Sequence, residues 1–187
     1  MYISRQELAA FDVLSSAAKC RSILTLVRAL VEVDKEILAE LGPAWLGGAV
    51  PELYLACVRY KFQDAVDDWQ DIVRCLRTGA ASCNSLSAWR CAELQTDGEM
   101  ATPYIQSQTV RKRDGQVLDI FHVIVHRGDY APVEWEDPSR TLGMPATDPS
   151  MAGARVIPSA GSVLVGDAGA ILVPGVPDGV GAPSWGD

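Results

Sequence analysis

Three residues of this chain carry side chains that could share one reaction. Cys83 follows the loop Gly79-Ala80-Ala81-Ser82 and opens a stretch of helical periodicity, so its thiol falls in a first helical turn, where unpaired backbone N–H groups and the helix dipole stabilise a thiolate. His122 lies inside the apolar run Ile120-Phe121-His122-Val123-Ile124-Val125, where a buried imidazole needs a polar partner. Asp137 follows at the head of Asp137-Pro138-Ser139-Arg140 and could orient the second ring nitrogen. A strand can present His122 across a cleft to a thiol at a helix start, and the three then make a Cys–His–Asp triad for nucleophilic catalysis. The competing reading is plain packing, with Ser82 as the helix cap, Cys83 as filler beneath Trp89 and His122 as a satisfied core histidine. His126 shares the strand face but stands beside Arg127-Gly128 at its end, and is expected to be exposed and outside the chemistry.

The elements that must position these groups are legible in outline. Ile23, Leu24, Val27, Leu30, Val31, Ile37, Leu38 and Leu41 recur at helical spacing from Ala17 until Gly42-Pro43, which predicts one long amphipathic helix. Leu53, Leu55, Ala56, Val58 and Tyr60 after Pro51 predict a second, a short helical turn closed by Arg77-Thr78-Gly79 is expected from Trp69 to Leu76, and the Cys83 helix should end at Asp97-Gly98. Beyond it, Tyr104–Val110 and Val117–His126 flank Arg111-Lys112-Arg113-Asp114-Gly115 and predict an antiparallel hairpin, with a short extended segment around Val133 to Trp135. The fold class expected is α+β, N-terminal helices followed by a small antiparallel sheet. Residues 1–50 form the helical region, 51–144 the core, and 145–187 a Gly/Pro-rich tail whose segments Ser162–Val165 and Ala170–Val173 suggest a β-arm that needs something to pack on.

Composition removes several classes of answer. Sixteen Lys and Arg against 24 Asp and Glu, a net charge of -8, argue against a protein that neutralises phosphates, so no direct nucleic-acid partner is expected. The best candidate for a bilayer span, Ile23 to Leu38, contains Arg28, Glu32, Asp34, Lys35 and Glu36 and is too charged. The N-terminal residues lack a secretory pattern, which implies a reducing cytosol and free thiols. Five cysteines without a C-x-x-C pair do not suggest structural zinc, and Cys20, Cys57 and Cys75 read as small buried core residues. Asp64, Asp67 and Asp68 lack the glycine and glutamate of a calcium loop and read as a solvated face; no metal or cofactor is expected. Trp69, Trp89 and Trp135 read as core, and Arg140 as a brace for the Asp-Pro-Ser corner.

The order of these motifs resembles transglutaminase-like (papain-like) cysteine proteins. Tyr60, Trp69-Gln70, Leu76, Gly79 and Cys83 are similar to that family's approach to its nucleophile, and Cys83 through Leu94 with Gly98 and Ala101 to its helix and the turn into its sheet. His122 and Asp137-Pro138-Ser139 resemble its strand histidine and Asp-Pro-Ser/Thr corner. Ala88-Trp89-Arg90, Phe121-His122-Val123 and Glu136 through Met144 most resemble small proteins encoded by tailed bacteriophages. The likeness spans roughly Leu53 to Met144; Asn84, where such phage proteins often have an acid, departs from it. The resemblance implies catalytic roles for Cys83, His122 and Asp137, with His122 deprotonating Cys83, an acyl-thioester on an amide substrate of peptide or peptidoglycan-like kind, and the Cys83 backbone N–H in the oxyanion hole. It also implies a place in the bacterial host cytoplasm or the virion. The nearly uncharged tail motivates another reading, a virion structural or assembly protein with a vestigial triad that binds other virion proteins, or itself, through residues 145–187.

Overall fold

The computed structural model describes residues 15–41, 50–62, 69–128 and 134–145, and the backbone of three short strands beyond them. The chain is α+β, helices followed by a small antiparallel sheet. Helix α1 spans Ser16–Leu41, and the Ser15 hydroxyl accepts the Ala18 N–H at its start. Cys20, Leu24, Val27 and Val31 line its buried stripe at three- and four-residue spacing. Helix α2, Ile72–Thr78, starts at the Asp71 cap and ends on Gly79, whose φ of 66° is the left-handed close that glycine makes easily. Helix α3, Cys83–Thr96, is buried along most of its length.

The second predicted helix does not form. Residues Leu53–Leu55 make a single 3₁₀ turn, Cys57 takes a positive φ of 56°, and the chain enters a two-residue strand β1, Arg59–Tyr60. The apolar residues there do not share a face, since Leu53 is fully buried and Leu55 is 72% exposed. Cys57, expected in the core, is exposed because the turn directs it outward. Asp64, Asp67 and Asp68 lie outside the described residues.

Strand β1 pairs in parallel with β2, Ala80–Ala81. The main sheet is built on β3, Ala101–Arg111, and β4, Val117–Arg127, which pair antiparallel along their whole length. Gly115, at φ 88°, closes their turn. Strand β5, Glu134–Glu136, pairs with the far half of β4, and a short helix α4, Pro138–Thr141, follows on the Asp137 cap. On the other edge of β3 stand β6, Arg155–Val156, and β7, Val163–Gly166, and β7 forms a hairpin with β8, Gly169–Leu172. The hairpin read in the tail is thus paired with the core's own sheet. No helix among the described residues is long and apolar enough to cross a membrane.

Two apolar clusters meet across α3. One joins the α1 stripe to Ala88, Cys91, Ala92 and Leu94 of α3 and to Ile105, Val123 and Val125 of the sheet; the other gathers Leu53, Val58, Ile72, Cys75, Ala81 and Leu86 around Trp89. Asp34 continues the α1 stripe into this interior, fully buried, where its Oδ1 accepts the Ile72 N–H at 3.0 Å and caps α2. Burial raises its carboxyl from 3.8 to about 8 against the lowering effect of that hydrogen bond, with Asp71 and Glu93 adding to the rise. An acid whose folded pKa is raised contributes stability that is complete below its unfolded value and lost as pH rises through the folded one. Urea unfolding should therefore show a less stable protein at about pH 8 than at about pH 5, with a smaller difference in Asp34→Asn, which keeps an acceptor oxygen for Ile72. An equally steep fall in that variant would place the effect elsewhere.

Candidate active site

The three candidate residues come together. His122 is 3% exposed on β4, and its Nε2 lies 2.8 Å from Asp137 Oδ2. A ring nitrogen facing a carboxylate carries a proton, so in the neutral ring it is Nδ1 that accepts. Cys83, half-buried in the first turn of α3, lies close enough to the ring to bear on its ionisation. Burial opposes the charged imidazolium, yet the hydrogen bonds to Asp137 and Cys83 and the charges of both outweigh it and push His122 up to about 10. The sulfur is also 3.6 Å from Asn84 Oδ1; rotated, this carboxamide would present its NH₂ to a thiolate.

Each group is fixed by its element. Asp137 is the α4 cap, its Oδ1 accepting the Arg140 N–H at 3.2 Å, while Arg140 Nε stands 3.5 Å from Oδ2. The Arg140 side chain meets this corner through that ion pair, and its Nε and Nη2 have no hydrogen-bond partner among the described residues. One turn after Cys83, the Ser87 hydroxyl donates to the carbonyl of Val123 at 2.9 Å, which binds α3 to the residue beside His122. The end of β1 and the residue after it join both sides of the site through backbone: Lys61 N–H donates to the carbonyl of Ala81, two residues before Cys83, and Tyr60 N–H to that of Leu142 just after α4, both at 2.9 Å. Ser82 occupies the cap position of α3 but its side chain makes no cap hydrogen bond. Its hydroxyl and that of Ser139 are buried without a hydrogen-bond partner among the described residues.

Next to Asp137 in the chain, Glu136 centres a charged cluster that no sequence motif marks. Glu136 Oε1 accepts Arg90 Nε at 2.7 Å and the Tyr54 hydroxyl, and Oε2 accepts Arg127 Nη1 at 3.2 Å. Arg127 Nη2 also reaches Glu99 at 2.6 Å. Arg90 also bonds Glu93 at 3.1 Å, whose other oxygen takes the Leu53 N–H at 2.6 Å. Arg90 and Glu136 are 46 positions apart, so no local spacing marks the pair. Asp34 did leave a trace, a lone acid on the apolar stripe of α1.

Two other expectations need correction. His126 is half-buried, its ring 5.4 Å from Tyr104 and 5.0 Å from Trp135, because β5 pairs alongside it. Trp135, expected in the core, is half-buried in that same aromatic group, whereas Trp69 and Trp89 are buried. No family model matches the chain, and no curated protein or solved structure matches it either.

Proposed function

We propose that this chain is a cysteine hydrolase or acyltransferase of transglutaminase-like fold, acting on amide bonds in peptide or peptidoglycan-like substrates. One observation carries the reading: a buried imidazole binds a carboxylate through Nε2 at 2.8 Å and has a thiol in the first turn of a helix near enough to raise its proton affinity. In the proposed reaction His122 Nδ1 takes the Cys83 proton and the sulfur adds to the amide carbonyl carbon. The imidazolium returns the proton to the leaving amine as the C–N bond breaks, giving a thioester. Water or a second amine, deprotonated by His122, then attacks that thioester and releases Cys83. Asp137 holds the ring in the tautomer both steps need, and the Cys83 N–H, which has no intrahelical acceptor, is placed to stabilise the oxyanion.

The assembly reading drew its motive from the tail. Strands β6, β7 and β8 extend the sheet from β3, so that part of the tail has a use within the chain. Cys57, exposed and remote in sequence from the triad, supplies an internal control. At about pH 6, Cys83 is expected to take up iodoacetamide at least about tenfold faster than Cys57, because only Cys83 has a base to hold its proton. Equal, slow labelling of the two would sink the proposal.

A further inference from the structure

We infer that Glu136 is a positioning residue of the site: gripped by Arg90 of α3 and Arg127 of β4, it fixes where Asp137 stands relative to Cys83 and His122. Glu136 and Asp137 are consecutive in extended backbone, with Asp137 at φ −115° and ψ 91°, and successive side chains of such a segment project to opposite sides. One carboxylate is therefore held on the side of α3 while the other reaches the imidazole. Both Glu136 oxygens are occupied by guanidinium donors, and the side chain is only 16% exposed. Arg90 lies two helical turns beyond Cys83 on the same helix, held from its other side by Glu93 and packed over the Tyr54 ring at 5.3 Å. The Arg90 bond refers Asp137 to the helix of the nucleophile, and the Arg127 bond refers it to the strand of the base.

The inference rests on the proposed chemistry for its rate readout only; the titration of His122 reads the His122–Asp137 contact directly. The experiment uses the full chain, wild type and Glu136→Gln, with Asp137→Asn as reference, and records the ¹⁵N shifts of the His122 ring against pH together with iodoacetamide labelling of Cys83. Glu136→Gln keeps the shape and removes the charge that binds both guanidinium groups. It is expected to lower the His122 midpoint by about one unit, a tenfold loss of proton affinity, and to slow Cys83 labelling about tenfold, in the direction of Asp137→Asn. Arg90→Lys, which keeps every charge but not the planar fork, provides a second test and should shift the midpoint in the same direction by less. A His122 titration unchanged from wild type in both folded variants, with Asp137→Asn shifted, overturns the inference. If wild-type Cys83 labels no faster than Cys57 while the midpoint still moves in Glu136→Gln, the proposed reaction fails and the positioning role stands.

Discussion

Replacing His122 by alanine should slow iodoacetamide labelling of Cys83 roughly a hundredfold at about pH 6 and leave Cys57 unchanged. Proton transfer to a positioned side chain is typically worth about 10²- to 10⁴-fold, and His122→Ala removes the ring that would take the Cys83 proton. Asp137→Asn should have a smaller effect, about tenfold. A carboxamide can still hold Nε2–H, but it no longer stabilises the imidazolium by charge at 2.8 Å. A His122→Ala protein that labels at the wild-type rate would mean that His122 has no part in Cys83 reactivity.

Trp89→Ala should lower the unfolding free energy by about 3 to 5 kcal/mol, the range for removing a fully buried aromatic side chain. Against the roughly 5 to 15 kcal/mol that holds a typical domain, this is enough to shift the urea midpoint far without changing its slope. Trp89 is fully buried among Leu53, Val58, Ile72, Cys75, Ala81 and Leu86, and three separate segments would face the resulting cavity. Trp135→Ala, at a half-buried site with two ring neighbours, should lose only about 1 to 2 kcal/mol. The folded Trp89→Ala protein should still label Cys83 in a His122-dependent way, because Cys83 and Val123 belong to the other cluster and Ser87 ties α3 to Val123. A loss under about 1 kcal/mol would show that the surrounding residues collapse into the space.

How far the sequence disclosed this arrangement depended on how local each signal was. The α1 stripe, the Gly79 close and the β3–β4 hairpin follow from spacing or from one residue's backbone preference, and each stands within a few positions of where it was expected. The three candidate residues were legible because a helix start, an apolar strand and an Asp-Pro corner each mark one of them. The segment after Pro51 was misread because a 3₁₀ turn and a two-residue strand are too short to set up a period. Pairing of β7 with β3 is a long-range choice for which the strand sequences carry no address. The Arg90–Glu136 bond was illegible for the same reason: helical periodicity places Arg90 on α3 but does not say which acid it will meet.

The two hydrogen bonds from β1 to Ala81 and Leu142 bear on the order of folding. They bring together backbone from residues 59–61, 80–81 and 142, and closing loops of that length costs more chain entropy than forming a local helix or hairpin. On the proposed chemistry, Cys83 would meet His122 only when nearly the whole core has assembled, so that a partly folded chain would carry it as an unassisted thiol and reactivity would arrive with completion of the fold.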